Sequence, residues 1–143
     1  MKILVSACLM GVHCRYDGGG KLDPAVERLM EDNILIPVCP ELLGGLPTPR
    51  ESAERRGERI VTRDGADVTR QYLRGAAETL RLAQLYGCTA AVLKERSPSC
   101  GTGRIHDGTF SGAMTDGDGT AAELLRRNGI RVVGESQIEK EFL

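Results

Sequence analysis

Five cysteines and two histidines are the residues of this 143-residue chain with the most chemistry to offer. Cys8, Cys14, Cys39, Cys88 and Cys100 form no C-x-x-C pair, so neither a zinc ribbon nor a thioredoxin-like motif is written locally. An odd count at wide spacing also argues against a disulfide framework. The opening run Met1 to Ala7 carries one charge and breaks at Gly11, short for a signal-peptide core and far short of a membrane span. The expectation is a cytoplasmic protein whose thiols stay reduced. Thiolates are soft ligands, and several of them with few histidines suit zinc or an iron–sulfur centre. Any one of them alone reads equally well as a small buried hydrophobe. His13 and His106 fall in segments read as loops, where a lone histidine is more often solvated than a ligand.

The elements that must position these thiols follow from composition and periodicity. Apolar residues make up 41% of the chain, Trp is absent, and there are two Phe and three Tyr. The core therefore rests on Leu, Val, Ile and Ala, as it does where helices pack on a parallel sheet. Nineteen basic and twenty acidic residues leave a net charge of −1. That balance excludes a strongly basic nucleic-acid binder and an acidic disordered tail. Residues 3–6, 34–38, 89–93 and 130–133 read as short buried strands. Asp23-Pro24, Asp67 and Asp118 or Thr120 read as helix starts, with Asn33, Gly87 and Asn128-Gly129 as stops. Ile60-Val61 before Asp64-Gly65 reads as a short hairpin strand, and Asp107-Gly108 as a hairpin turn. Pro40 to Pro49 reads as an ordered, irregular loop, and the charged stretch from Arg50 to Asp67 as mostly solvated surface. The alternation of strand and helix predicts an α/β fold: one domain over residues 1–143, a three-layer sandwich whose mostly parallel sheet of about four strands has helices on both faces.

In such a sheet ligands bind beyond the carboxyl ends of the strands. Cys8 lies two residues past the first strand, Cys39 directly follows the second, and Cys100 lies in the loop leaving the third. These three, about thirty and sixty residues apart, are predicted to meet at one edge. Cys14 belongs to the same edge, further out, and Cys88 precedes the third strand and falls on the opposite edge as a structural thiol. Three thiolates would leave one metal position open, as catalytic sites do; the spacing leaves cluster, zinc and no metal all open. Near the three, Glu41 in Cys39-Pro40-Glu41 offers a general acid or base, and Ser97 in Ser97-Pro98-Ser99-Cys100 a proton relay or substrate hydrogen bond. Without the cysteines they would read as an exposed carboxylate and a hydroxyl bonding its own turn. Gly117 to Thr120, ahead of a helix, offers backbone N–H groups to a polar ligand or serves as a plain cap.

Val5-Ser6-Ala7-Cys8-Leu9-Met10-Gly11, Cys14-Arg15-Tyr16-Asp17-Gly18, Val38-Cys39-Pro40-Glu41, Ser97-Pro98-Ser99-Cys100-Gly101 and Asp107-Gly108-Thr109-Phe110-Ser111-Gly112 occur in this order along the whole chain. Together they resemble the thiouracil desulfidase family. The resemblance implies a [4Fe–4S] cluster held by three cysteines, here Cys8, Cys39 and Cys100, with Glu41 and Ser97 as the catalytic pair. It implies hydrolytic removal of sulfur from a thiolated pyrimidine such as 2-thiouracil, with the substrate sulfur bound at the open iron. Hydrogen sulfide and the oxo-pyrimidine are the products. Implied partners are a small thiopyrimidine and the iron–sulfur assembly machinery. No membrane is expected, and the near-neutral charge argues against a large nucleic acid. The competing readings are a non-enzymatic iron–sulfur or zinc protein acting as sensor or carrier, and sulfur transfer through a persulfide on Cys14.

Overall fold

The computed structural model describes residues 1–143. A parallel sheet forms from β1 (Lys2–Ser6), β2 (Ile34–Val38), β5 (Ala90–Leu93) and β8 (Arg131–Gly134), in the order β2-β1-β5-β8. Lys2 pairs with Ile34, Ile3 with Ala90, and Ala90 with Arg131, so the carboxyl ends finish in step at Ser6, Val38, Leu93 and Gly134. The chain leaves β1 toward one side for β2 and returns to the other side for β5. That reversal opens a crevice at the strand ends between them.

Two apolar layers hold the sheet. On one face Ile3, Val5, Val92 and Val133 pack with Val26 and Leu29 of α1 (Pro24–Leu29) and Ile138 of α5 (Ile138–Phe142). On the other, Leu4, Val38, Ala91, Leu93 and Val132 pack with Ala83 of α3 (Thr69–Tyr86) and Ala122 and Leu125 of α4 (Thr120–Arg127). This is the expected α/β sandwich with helices on both faces. Helix α1 starts as its sequence dictates: Asp23 accepts the Ala25 N–H at 2.8 Å and Pro24 occupies the first turn. Helix α3 ends at Gly87, whose φ of 71° is the left-handed cap that glycine adopts without penalty.

Several local expectations are corrected. The segment after Cys39 is not wholly irregular, because Pro40–Leu43 forms a short helix, α2. Its start is the favourable one for proline, whose missing N–H has no partner to lose there. The charged stretch forms a hairpin of β3 (Ala53–Arg56) and β4 (Arg59–Thr62), turning at Gly57; after β4 the chain turns again at Asp64-Gly65, as expected, and Val61 bridges antiparallel to Asp67. The second hairpin, β6 (Arg104–His106) with β7 (Met114–Asp116), is joined by residues 107–113, a longer connection than a two-residue turn at Asp107-Gly108. His106 therefore lies on a strand. No helix is long and apolar enough to cross a membrane.

The charges of the first hairpin are tethers. The buried Glu54 carboxylate accepts the N–H groups of Gly108 at 2.9 Å and Phe110 at 3.1 Å. Arg56 donates to the Gly108 carbonyl at 2.7 Å, and Arg55 to the Asp118 carbonyl and the Glu123 carboxylate, each at 2.8 Å. The first hairpin thus fixes the second, and both are held over the strand-end crevice.

Candidate functional site

The crevice is a cavity of about 440 Å³, and its lining includes Cys8, Cys14, Cys39, Cys100, Glu41 and Ser97. Each thiol arrives on its own support. Cys8 sits in the 3-10 turn Ala7–Leu9 that continues β1. Cys39 is the residue before α2, placed by the end of β2. Cys100 closes a turn in which the Ser97 hydroxyl oxygen accepts the N–H groups of Ser99 and Cys100, both at 3.1 Å. Cys88 lies away from the cavity, buried with Leu4, Ala91 and Ile130 below α3 and α4.

The Cys100 turn is anchored to α4. The Pro98 carbonyl accepts the Thr120 N–H at 2.9 Å, and the Ser99 carbonyl accepts those of Ala121 and Ala122 at 2.9 and 3.2 Å. Gly119 donates to the Gly101 carbonyl at 2.7 Å. The helix N-terminus has no orphan donors left. Neither Asp118 nor Thr120 caps it through a side chain, and the Gly117–Thr120 segment is packing, not a ligand cradle. Gly119 is needed there because a Cβ would fall 2.8 Å from the Cys100 nitrogen and closer still to Ser99.

Four polar side chains that the sequence did not single out complete the site. Ser6, at the end of β1, accepts the Lys94 N–H at 2.9 Å and donates to the Cys100 sulfur at 3.3 Å. Ser99 donates to Glu41 Oε2 at 2.8 Å and lies 3.0 Å from the Ser97 hydroxyl. Arg50 donates through Nε to Glu41 Oε1 at 2.8 Å and through a terminal nitrogen to the Cys14 carbonyl at 2.9 Å. Tyr72 of α3 lines the same cavity and feels the Glu41 charge. The Arg50 and Glu41 side chains are only 6% and 13% exposed, so this is a buried ion pair. Burial opposes the Arg50 charge, but Glu41 outweighs it and the guanidinium is held more firmly protonated than usual. Burial, and then Glu41, push the Tyr72 phenol well up, which keeps it a donor. Arg50 was legible only as one charge among many in a stretch read as surface.

The donor set fits a soft, multinuclear metal group. Burial and then Cys39 raise the Cys8 thiol; the same pair of causes pushes Cys14 up to about 12, and the Cys39 thiol donates to the Cys14 carbonyl at 3.7 Å. Burial pushes Cys100 up to about 12 against the hydrogen bond from Ser6. These thiols would ionise on meeting a cationic metal, which lowers thiol pKa outright. No three cysteine, histidine or carboxylate groups stand close enough to surround one ion. A cluster, in which each iron takes its own thiolate, draws its ligands from separate points of a cavity wall, and Cys8, Cys39 and Cys100 all line this one.

Fold and site together define a compact α/β protein with a thiol-lined crevice at the switch point of its sheet and a carboxylate–hydroxyl network on one wall. The comparisons with known proteins agree. The 2-thiouracil desulfurase family matches residues 3–137, and the chain belongs to that family. It is 44% identical over 146 residues to the uncharacterized protein YbbK of Bacillus subtilis strain 168, covering 95% of this chain and 97% of that one. Among solved structures it is similar to the [4Fe–4S]-dependent thiouracil desulfidase TudS, with a TM-score of 0.92 and 48% identity over 97% of this chain and 93% of that chain.

Proposed function

We propose that this protein is a [4Fe–4S]-dependent desulfidase that converts the thiocarbonyl of a pyrimidine such as 2-thiouracil to a carbonyl. Water supplies the oxygen and sulfur leaves as hydrogen sulfide, so the reaction needs no net redox change. The observation that carries this reading is the meeting of Cys8, Cys39, Cys100, Glu41 and Ser97 around one cavity in a member of this family. Cys8, Cys39 and Cys100 would hold the cluster, and Cys14, whose carbonyl accepts from the Cys39 thiol at 3.7 Å, serves as an accessory. When bound by those three ligands, the cluster would supply soft Lewis-acid chemistry toward the sulfur of the substrate.

The chain's own residues manage the protons. Glu41 Oε1 is engaged by Arg50 and Oε2 by Ser99, which fixes the carboxylate at the cavity wall. There it acts as general base toward the attacking water. Ser97 accepts two backbone N–H groups, so its own proton points either to Ser99 or into the cavity. The chain Ser97 to Ser99 at 3.0 Å and Ser99 to Glu41 at 2.8 Å is a hydroxyl relay along which a proton passes between substrate and carboxylate.

The test is anaerobic reconstitution with iron and sulfide, followed by sulfide release from a panel of 2-thio- and 4-thiopyrimidines. Release with stoichiometric oxo-pyrimidine supports the reading. An iron–sulfur protein that releases none is a sensor or carrier; a colourless, zinc-loaded protein removes the cluster. Loss of activity in Cys14→Ser with the cluster intact shifts the chemistry to a persulfide on Cys14.

A further inference from the structure

One wall of the cavity has no part in the proton chemistry. It is made by the β6–β7 hairpin, which contributes His106, Phe110 and Gly112 to the lining. Phe110 has φ 56°, a left-handed conformation that a bulky side chain rarely adopts. Such a conformation persists only where the surroundings over-determine it, and such residues cluster at binding sites. Here they do over-determine it. Glu54 grips the N–H groups of Gly108 and Phe110, and Arg56 grips the Gly108 carbonyl. The Arg63 and Arg56 guanidinium carbons lie 5.3 and 6.0 Å from the ring centroid. None of this apparatus touches Cys8, Cys39, Cys100, Glu41 or Ser97; its effect is to hold one aromatic ring at the cavity.

His106, on the same hairpin, adds a polar edge. Its Nδ1 is closed off from solvent without a partner. An unpartnered buried N–H costs more than a bare lone pair, so the neutral ring carries its proton on Nε2. Because the residue lines the cavity while Nδ1 is sealed, the atoms it can present there are those on the Nε2 side.

We infer that the β6–β7 hairpin is the element that recognises the pyrimidine ring, with Phe110 supplying its apolar contact and His106 Nε2–H a hydrogen bond to a ring or exocyclic acceptor. This rests on the desulfidase reading and names the specificity wall of that same cavity. The informative variant is Phe110→Gly, because glycine takes φ 56° freely and keeps both backbone N–H bonds to Glu54, so the ring is removed without strain. KM for 2-thiouracil should rise about tenfold, the scale of one aromatic contact, with iron content and kcat near wild type. His106→Gln, whose amide reaches as Nε2 does, should keep KM within about threefold, whereas His106→Asn, which mimics Nδ1, should not. A separate readout needs no cluster: saturation-transfer NMR with uracil on the iron-free protein should show ring-proton transfer in wild type and a loss of it in Phe110→Gly. An unchanged KM in Phe110→Gly, or equal or absent NMR transfer in both proteins, overturns the inference. Wild-type loaded protein that releases no sulfide from any thiopyrimidine instead defeats the reading beneath it.

Discussion

Gly75, in the middle of α3, offers a sharp test of how the site is positioned. A Cβ there would lie 2.8 Å from the Pro40 carbonyl carbon, nearer still to its oxygen, and 3.3 Å from the Gly44 nitrogen. The contact is reciprocal, since a Cβ at Gly44 would fall 2.8 Å from the Gln71 carbonyl carbon. Helix α2, bearing Cys39 at its head and Glu41 in its first turn, thus lies backbone to backbone on α3. Gly75→Ala must push the Pro40 carbonyl away by about 1 Å to restore an ordinary carbon–oxygen approach. Two stability effects oppose each other: alanine favours the helix interior by about 1 kcal/mol, and overpacking costs about 1–3 kcal/mol. The net destabilisation is within about 2 kcal/mol, a fall in Tm of a few degrees for a chain of this size. The effect on turnover is larger, because a misplacement of about 1 Å at a reacting group can cost on the order of 100-fold. The assay is kcat/KM for sulfide release per cluster, beside iron content and a melting curve. Leu73→Ala, which removes an exposed side chain from the same helix, serves as the control and should be silent. A Gly75→Ala protein with wild-type kcat/KM would refute the claim that this backbone contact positions Glu41.

Further outcomes follow from the same geometry. Arg50→Ala strands the Glu41 carboxylate in a buried position and should lower stability by about 3 kcal/mol, read from denaturant unfolding; combining it with Glu41→Gln should recover part of that loss. Ser99→Ala interrupts the hydroxyl chain while leaving the Ser97 bonds to the Cys100 turn in place, so kcat should fall at least about tenfold with iron content retained. Cys88→Ala, at the far edge of the sheet, should keep full iron content and turnover and cost about 1 kcal/mol in the core. In the cluster-free protein Cys14 and Cys100 hold their protons to about pH 12, whereas unfolded thiols lose theirs near 8.5. The folded state then binds more protons than the unfolded one over that interval, so melting temperature should fall as pH rises from 8 to 11. A flat or rising profile would contradict those raised thiols.

Much of the frame was legible because its signals are local. The four sheet strands are short runs of Val, Ile, Leu and Ala, and Asp23-Pro24 and Gly87 punctuate α1 and α3 by backbone chemistry that any context preserves. Topology then carried Cys8, Cys39 and Cys100 to one cavity and Cys88 away from it. What the sequence concealed depends on partners far along the chain. Glu54, Arg55 and Arg56 look like solvated charge, with no alternation to betray a strand, yet they hold residues 108–123. Ser97 reads as the important hydroxyl of its loop, whereas Ser99 is the one that reaches Glu41, 58 positions away in sequence. Arg50, Tyr72 and the glycine contact beneath α2 are likewise properties of packing. Helix α2 itself had a signal, proline in the first turn after Cys39, that the glycines and prolines following it obscured.

If three thiols hold an iron–sulfur cluster that desulfurates a pyrimidine, cluster content and turnover must go together. Iron and acid-labile sulfide per chain are therefore measured in anaerobically reconstituted protein, on the sample whose sulfide release from 2-thiouracil is then followed. Wild-type protein should hold about four of each per chain, lose them in Cys8→Ser, Cys39→Ser and Cys100→Ser but not in Cys88→Ala, and release hydrogen sulfide in step with uracil. Zinc in place of iron, or a full cluster complement with no sulfide released from any thiopyrimidine, would contradict that expectation.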